Sequence, residues 1–306
     1  MISSLLFLIL GSVLLYFGAD WMVKSSVHIA SKLNISRFVI GLTIVAFGTS
    51  LPEMGVSLKA AFFDKSGIAI GNIIGSNITN VLLVLGTCAL ISPITISYTK
   101  IRKDIFIYLG VCVVLVFLLW DGFLDRWEGI ILFAGVVIYT VYSFMSGKLY
   151  DEEIEDTISN WYWTTALLVS GIVILYIGSE FFIEGAIKFA KIIGVSELII
   201  GMTVVALGTS LPELVISVVA ATKNEHSISV GNIIGSNLFN IMSVLGLVSI
   251  IIPLPVEKSI FNFEIPVMIG SGLILIPLSL MNKPISKLLS ILMLFGYSIF
   301  IFILFL

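Results

Sequence analysis

This sequence lacks the charged surface expected of a water-soluble protein of its length. Only 11% of its 306 residues are charged, whereas 58% are hydrophobic, and the mean hydropathy is +1.16. A soluble domain of this size needs far more polar residues to cover its core. The composition therefore predicts an integral membrane protein with many spans. The net charge of −3 offers no basic surface, so we expect no nucleic-acid partner.

Cysteine and histidine are also scarce, with two residues of each. Cys88 and Cys112 both fall in apolar runs, which argues against a disulfide framework. His28 and His226 lie near the predicted span ends, and no nucleophile–base pair or cluster of histidines is found, so the sequence does not indicate an enzyme. The chain begins without a basic segment, and we expect its first apolar run to be a retained span rather than a cleaved signal.

Long apolar runs predict an all-α multi-spanning membrane protein with ten transmembrane helices. A helix needs about 20 residues to cross about 30 Å of hydrocarbon. The first helix of each half is longer than that and is expected to be tilted. The predicted spans are 2–32, 36–63, 67–92, 103–120 and 127–146, followed by 161–192, 196–222, 227–252, 261–281 and 285–305.

Two motifs occur twice, at an offset of 160 residues without a gap. GTSLPE occupies 48–53 and again 208–213, and GNIIGSN occupies 71–77 and again 231–237. Because each half has an odd number of spans, the two copies must enter the membrane from opposite sides. The pattern predicts two inverted five-helix repeats, with broken helices at an ion site near the membrane midplane.

The repeat also divides the chain into domains. We expect a first repeat at 1–146 with its motifs within 41–86, an acidic cytoplasmic linker at 147–160, and a second repeat at 161–306 with its motifs within 201–246. With the amino terminus outside, ten of the 16 lysines and arginines lie on the cytoplasmic side. This bias predicts a multi-pass cell-membrane protein with both termini extracellular, although Lys188 and Lys191 oppose it.

Each GTSLPE motif places a glutamate directly after a proline inside a predicted span. A charge at membrane depth is costly and usually has a function. Pro52 lacks an N–H group, which frees backbone oxygens around Ala46 to Gly48, and Pro212 does the same in the second half. Such oxygens persist in a membrane only where another partner satisfies them. Hard cations are suitable partners, since they bind carboxylate, carbonyl and hydroxyl oxygens.

The motifs therefore define a candidate cation site. It includes no histidine, cysteine or methionine, which favours Na⁺, Ca²⁺ or Mg²⁺ over softer metals. Two carboxylates can be neutralised by one divalent ion or by two monovalent ions, and these would compete. The candidate ligands are Ala46, Thr49, Ser50, Glu53, Ser76 and Asn80 in the first half, and Ala206, Thr209, Ser210, Glu213, Ser236 and Asn240 in the second.

Simpler explanations compete with these assignments. Serine and threonine in membrane helices often only pack or form interhelical hydrogen bonds, and the glutamates could be a protonated or purely structural pair. Asn72 and Asn232 are interpreted as structural, whereas Asn77 and Asn237 are ambiguous. Asp20 and Glu180 correspond at the same offset of 160, and we interpret them as interfacial, with gating as the alternative.

The duplicated motifs in a ten-span chain resemble the sodium/calcium exchangers of the calcium/cation antiporter (CaCA) superfamily, microbial type, over nearly the whole chain. The resemblance implies alternating access without a cofactor, in which the first and sixth helices slide past the other eight. Na⁺ and Ca²⁺ would be the substrates, in a lipid bilayer and without an obligate protein partner. It also implies a Ca²⁺ site at Thr49, Glu53, Thr209 and Glu213. Na⁺ sites would use Ala46, Ser50 and Ser76 on one side and Ala206, Thr209, Ser210 and Ser236 on the other, with Asn80 and Asn240 between them.

The coupling ion is the open question. Potassium-dependent members and several microbial ones hold aspartate at the place of Asn240, so two asparagines favour electrogenic, K⁺-independent Na⁺/Ca²⁺ exchange. Proton-coupled exchangers carry an acidic residue in the Gly-Asn motif, which this sequence lacks. A desolvated glutamate can nevertheless bind a proton near neutral pH, so H⁺ coupling is the alternative. A cation channel is a third hypothesis, since it also needs oxygen ligands.

Overall fold

The computed structural model describes residues 2–147, 160–194 and 206–304, and nearly all of these residues are helical. The first half contains α1 (Ile2–Leu33), α2 (Arg37–Thr49), α3 (Leu51–Phe62), α4 (Ser66–Ile91), α5 (Tyr98–Leu118) and α6 (Arg126–Ser146). The second half contains α7 (Trp161–Ile192), α8 (Ala206–Gly208), α9 (Leu211–Thr222), α10 (His226–Ile251), α11 (Glu264–Leu280) and α12 (Lys287–Leu304).

Within the described residues, seven helical stretches are long and apolar enough to cross a membrane, and the bent pair α2–α3 makes eight. The prediction of a multi-pass helical membrane protein is therefore confirmed. Two predicted spans fall outside this count. Helix α5 begins at Tyr98, five residues before the predicted start, and carries Arg102, Lys103 and Asp104. Helix α9 has only 12 residues because it begins after the break at Ser210, and residues 196–205 of the predicted span 196–222 lie outside the described residues.

The prediction of an all-α protein misses two short β pairings between connections. Strand β1 (Phe123–Leu124) pairs antiparallel with β2 (Leu254–Pro255). A second antiparallel bridge joins Thr95 to Pro284. Short extended segments between helices were not visible as apolar runs. With the repeat offset of 160, Thr95 and Pro284 correspond to Pro255 of β2 and Leu124 of β1, which lie in the same two strands but one residue out of register.

The helix breaks lie at the same place in both halves. Ser50 leaves the helical conformation with φ −81° and ψ 2°, and Ser210 does so with φ −86° and ψ 6°. Pro52 and Pro212 then lie in the first turn of the helix that follows, where a missing N–H group is tolerated. The bend between α2 and α3 is 40°. The predicted break at each GTSLPE motif is therefore confirmed.

Helices α4 and α10 form the centre of the fold, and most of their residues are buried. Each contains a π-helical turn that begins at an asparagine, at Asn80–Val84 in α4 and at Asn240–Leu245 in α10. A π-turn widens the helix and is frequent at functional sites. These two turns bring Asn80 and Asn240 to the inside of the structure, where both are fully buried.

Helices α1 and α7 pack against each other along glycines and have large exposed apolar faces. A Cβ atom added at Gly18 would lie 2.6 Å from the Leu175 backbone nitrogen, and one at Gly178 would lie 2.7 Å from the Leu15 nitrogen. Small residues allow this close approach, which is how membrane helices gain packing energy. The pair contacts the remaining helices mainly through α1, which packs along α9.

Asp20, which the sequence analysis interprets as interfacial, is paired with two lysines. Its side chain is buried and forms ion pairs with Lys24, at 2.7 Å, and with Lys223 at the end of α9. A buried carboxylate is stable only when it is paired, and Lys223 provides that partner from another helix. Glu180, the counterpart of Asp20 in α7, is exposed, as the interfacial interpretation expects.

Candidate cation site

The two helix breaks direct a glutamate from each half into the interior. Glu53 and Glu213 lie in the first turns of α3 and α9, and both are fully buried. A helix amino terminus carries partial positive charge, which favours a carboxylate there. The two carboxyl groups are near enough to interact electrostatically. The repeat thus brings together the two acids that the sequence analysis selected.

The four carboxylate oxygens of these residues have no hydrogen-bond partner within the described part of the chain. The hydroxyls of Ser76 and Ser210 face Glu53, and that of Thr49 faces Glu213, but none forms a hydrogen bond of good geometry. A buried carboxylate without a partner costs several kcal/mol. Two such groups, surrounded by hydroxyl and amide oxygens, form an arrangement that a cation would stabilise.

The serines of α4 and α10 pair across the repeats. The Ser210 hydroxyl donates to Ser76 at 3.2 Å, and the Ser236 and Thr49 hydroxyls share a hydrogen bond of 3.1 Å. The pairing follows from packing: α10 lies along α2, and α4 lies beside α8, so each broken helix faces the motif helix of the other half. The expected grouping, which put Ser76 with Ala46 and Ser50, and Ser236 with Thr209 and Ser210, concerns the ligands of an ion and stays a prediction.

Asn72 and Asn232 support the threonines of the site. The Thr209 hydroxyl donates to the Asn72 amide oxygen at 3.2 Å, and Thr49 donates to Asn232 at the same distance. The amide nitrogens of Asn72 and Asn232 donate in turn to Ser57 and Ser217, each at 3.0 Å. Both amides are occupied by protein groups, as the structural interpretation of these asparagines requires.

Four asparagines meet between the π-turns. The Asn80 amide nitrogen donates to the Asn237 oxygen at 3.1 Å, and the Asn240 nitrogen donates to the Asn77 oxygen at 3.4 Å. These hydrogen bonds use the nitrogens of Asn80 and Asn240. Their own amide oxygens are buried and have no partner within the described residues. Asn77 and Asn237, whose role the sequence left open, therefore orient the two asparagines that were selected as ligands.

The backbone oxygens near the breaks differ from expectation. The Ala46 carbonyl accepts hydrogen bonds from the Ser50 amide at 3.0 Å and the Thr49 hydroxyl at 3.2 Å, so it is not free. The Gly208 carbonyl, four residues before Pro212, accepts the Ser179 hydroxyl at 3.1 Å. Pro212 has no N–H group to donate to that carbonyl, and the hydroxyl of Ser179 in α7 donates to it instead. Ala206 begins α8, and its side chain lies outside what the structure describes.

Sequence reasoning missed the supporting residues Ser57, Ser217 and Ser179. Ser57 and Ser217 were detectable, because they lie four residues after the two glutamates and correspond at the offset of 160. Ser179 had no such signal, since its counterpart in α1 is Ala19. The described residues contain no group of three or more histidine, cysteine, aspartate or glutamate side chains placed to hold a metal. The candidate site is therefore two carboxylates with neutral oxygens, a donor set that suits hard cations.

Comparison with known proteins shows which family this chain resembles. Residues 3–145 and 163–306 match the family described as sodium/calcium exchanger protein. The sodium/calcium exchanger MaX1 of Methanosarcina acetivorans is 35% identical over 318 residues, which cover 89% of this chain and 90% of that protein. A shorter stretch of 122 residues is 34% identical to sodium/potassium/calcium exchanger 1 of Gallus gallus and covers 39% of this chain and 18% of that protein.

Solved structures also match nearly the whole chain. The sodium-calcium exchanger NCX_Mj soaked with zero Na⁺ and Ca²⁺ superimposes with a TM-score of 0.85 at 37% sequence identity, covering 97% of both chains. The same exchanger soaked with 10 mM Na⁺ and 10 mM Sr²⁺ gives a TM-score of 0.85, again at 37% identity. The helical arrangement described above is thus that of a known cation exchanger.

Proposed function

The chain belongs to the sodium/calcium exchanger family of the CaCA superfamily, and we propose that it exchanges Na⁺ for Ca²⁺ across the membrane by alternating access. The observation that carries this proposal is the pair Glu53 and Glu213, fully buried and without hydrogen-bond partners within the described residues. The members of this family are cation antiporters rather than enzymes. We propose neither a cofactor nor an obligate protein partner.

The charge of the site determines how the two ions compete. One Ca²⁺ between Glu53 and Glu213 balances both carboxylates, with the Thr49 and Thr209 hydroxyls as further ligands. Na⁺ ions would need the same carboxylates. The proposed Na⁺ positions lie at Ala46, Ser50 and Ser76 on one side and at Ala206, Thr209, Ser210 and Ser236 on the other, and they share the two glutamates. We propose that the carbonyls of Ala46 and Ala206 are ion ligands, as the family resemblance implies. The Ala46 carbonyl would then bind the ion instead of accepting the hydrogen bond from the Thr49 hydroxyl.

The asparagines bear on the choice between coupling ions. Asn80 and Asn240 offer buried amide oxygens at the middle of the site without adding negative charge. More Na⁺ ions can then bind than there are carboxylates, which makes the proposed exchange electrogenic. The absence of a third acid among these described positions supports K⁺-independent transport. Coupling to H⁺ or K⁺ is the alternative, and the partial match to a sodium/potassium/calcium exchanger is the reason to test K⁺ directly.

Alternating access also needs two halves of opposite orientation, and we propose the ten-span inverted repeat with halves 1–146 and 161–306 and a cytoplasmic linker at 147–160. Three contacts support it. Thr95 pairs with Pro284, Arg37 forms an ion pair with Glu225 at 2.7 Å, and β1 pairs with β2. The first two join connections expected to be on one side of the membrane, and the third joins connections expected to be on the other side, as a ten-span topology requires. We propose that both termini are outside because of the distribution of lysine and arginine.

The deciding experiment is ⁴⁵Ca²⁺ uptake by purified protein in proteoliposomes, with Na⁺, K⁺ and H⁺ gradients imposed separately. We expect uptake when Na⁺ is inside and absent outside, and a change in its rate when the membrane voltage is clamped. Uptake that follows a pH gradient and ignores Na⁺ would favour the H⁺-coupled alternative. Single-channel currents in planar bilayers would contradict the antiporter and support the cation-channel hypothesis.

A further inference from the structure

A groove of about 420 Å³ lies between α11 and α12, outside the candidate cation site. Leu82 of α4 lines it from the interior, and the two helices line its sides. Helix α11 packs on α4 and α5, and α12 packs on α4, so the rest of the fold holds both helices and they flank the groove. Leu292 of α12 lines the groove and is 53% exposed, so the groove opens to the outer surface of the helices.

The lining of the groove is apolar apart from Ser271. The Ser271 hydroxyl donates to the Met268 carbonyl at 2.7 Å, within its own helix. None of the residues that line the groove carries a charge. A charged or strongly polar group would lose its hydration there without gaining a partner, so the groove suits a hydrocarbon ligand.

Two glycines leave space in the groove. A Cβ atom placed at Gly270 of α11 or at Gly296 of α12 would meet no heavy atom of the described residues within 4 Å. Helix α12 is closely packed elsewhere, since a Cβ atom at Gly86 of α4 would lie 3.3 Å from the side chains of Leu294 and Met293. An apolar gap that opens to a bilayer gains dispersion energy when hydrocarbon fills it.

The length of the groove matches one leaflet of a bilayer. Val267 and Leu278 line it and are eleven residues apart in α11, which is about 16 Å at about 1.5 Å per residue. One leaflet contributes about 15 Å of a hydrocarbon core of about 30 Å. Beyond Val267, Phe263 stacks on Phe300 of α12 with ring centroids 5.9 Å apart and joins the two sides. The groove therefore fits one lipid tail, whereas a transmembrane helix of a second copy would extend across both leaflets.

The charges at the two ends of the groove differ in sign. Near Leu278 and Leu289, Lys283 lies in the connection between the helices and Lys287 begins α12. Both lysines are exposed, and neither forms an ion pair within the described residues. At the opposite end, Glu264 begins α11. A negatively charged headgroup is therefore favoured at the lysine end.

We propose that this groove binds one tail of an anionic phospholipid, with the lipid phosphate beside Lys283 and Lys287. In the topology proposed above, these lysines place the lipid in the cytoplasmic leaflet. The inference goes beyond the proposed cation exchange and does not depend on it, because the groove and the cation site share no residue. Leu82 belongs to the π-turn that begins at Asn80, so the bound tail lies against the element that carries a candidate ligand.

The test is native mass spectrometry of the purified, delipidated protein, titrated with phosphatidylglycerol and with phosphatidylcholine of the same chain length. We expect one phosphatidylglycerol to bind about thirtyfold more tightly than phosphatidylcholine, the factor for two lysines beside a lipid headgroup. Lys283→Gln combined with Lys287→Gln should remove this preference. Lys258→Gln is the matched control and should keep it, since Lys258 is also exposed but precedes α11 at the opposite end of the groove.

Filling the groove tests the tail separately from the headgroup. Gly270→Leu combined with Gly296→Leu should weaken the binding of both lipids about tenfold or more, the factor for two methylene groups that are no longer buried. Gly110→Leu in α5, where an added Cβ atom also meets no heavy atom of the described residues within 4 Å, should leave lipid binding unchanged.

Several results would overturn the inference. They are equal affinity of the wild type for the two lipids, an unchanged preference in the double lysine variant, and unchanged lipid binding in the double leucine variant. A mass of two protein chains that the leucines reduce to one would assign the groove to a second copy instead. The lysine variants change only exposed side chains, so they test the inference even where the double leucine variant does not fold.

Discussion

Glu53 and Glu213 are buried in an environment that is unfavourable for a carboxylate unless a cation is bound. Each is fully buried, and its carboxylate oxygens have no hydrogen-bond partner within the described residues. Burying a charge in this way is strongly unfavourable unless a counter-charge is present. Protein stability and ion binding are therefore linked at these two positions, because any cation that binds the folded state also stabilises it.

Replacing either glutamate by glutamine should raise the stability of the cation-free protein and weaken Ca²⁺ binding. Glu53→Gln should raise the thermal midpoint in cation-free buffer by several degrees, since one unpaired buried charge is removed. The same variant should bind Ca²⁺ at least about tenfold more weakly, because a hydrogen bond or ion contact to a charged group contributes about 1.5–3 kcal/mol. Thermal unfolding in detergent with and without Ca²⁺ measures both effects.

The matched control for this prediction is Glu184→Gln. Glu184 is exposed and pairs with Lys188 at 2.6 Å, and exposed ion pairs contribute little to stability. The control should keep the wild-type midpoint and its Ca²⁺-induced increase. A Glu53→Gln protein that is less stable than wild type without cations, or that gains as much stability as wild type at the same Ca²⁺ concentration, would contradict the proposed role.

Site residues at a helix break could be identified from the sequence. Site residues inside a continuous helix could not be assigned to their partners. A proline followed by a glutamate is visible in the sequence, and the duplication of Glu53 and Glu213 made the signal specific. The hydroxyl and amide groups that pair across the repeats were not assignable, because spacing within one helix does not show which other helix it faces. The hydrogen bond from Ser210 to Ser76 is an example that the sequence did not predict.

At the scale of helices, the glycines between α1 and α7 limit what their interface can accept. A Cβ atom at Gly18 would lie 2.6 Å from one backbone atom of α7 and 2.9 Å from another, so no side chain can move to relieve the overlap. We expect Gly18→Leu to separate the pair and to lower stability by about 1–3 kcal/mol, the usual result of overpacking. The thermal midpoint of the purified protein checks this.

Gly110→Leu supplies the comparison for that substitution. Gly110 lies in α5, and no heavy atom of the described residues lies within 4 Å of a Cβ atom placed there, so an added side chain faces open space. Its midpoint should stay near that of wild type. Equal losses for Gly18→Leu and Gly110→Leu would mean that leucine acts through helix propensity or insertion, and not through contact between α1 and α7.

Helix positions were predictable to within a few residues where an apolar run was long and uncharged, as for α1 and α7. The start of α5 was not, because Lys100 and Arg102 interrupt the apolar pattern before residue 103 while remaining compatible with a helix at a membrane surface. The π-turns at Asn80 and Asn240 were also not predictable. They change the backbone hydrogen-bond pattern without changing the period of apolar residues enough to be seen.

For the molecule as a whole, the number of acids in the site makes a prediction about K⁺ and pH. Exchange by the wild-type protein should be unchanged when choline replaces K⁺. Asn240→Asp would add a third carboxylate to a site that holds two, and that group needs a proton or another cation to remain buried. Its exchange rate should therefore depend on pH over a range in which the wild-type rate is constant. Flux assays of the wild type and of Asn240→Asp at several pH values measure this difference.

Sidedness is testable with thiol chemistry, because both native cysteines are free and fully buried. A membrane-impermeant maleimide should not label the wild-type protein in intact cells. Asp121→Cys lies in a connection expected to be extracellular and should be labelled, whereas Lys283→Cys, in a connection expected to be cytoplasmic, should react only after lysis. Both positions are exposed, so the reverse pattern would invert the proposed topology.

The ion pair between Asp20 and Lys223 has a kinetic consequence. It joins α1 to the end of α9, and in the second half its equivalent would need Glu180 of α7 to meet Phe63, which has no charge. If α1 slides during transport, one direction of the step must first separate these charges, and the opposite direction does not. The barrier should therefore be lowered by salt, which screens separated charges, and by Lys223→Met. In the proposed transport cycle, the forward and return movements of α1 would therefore proceed at unequal rates.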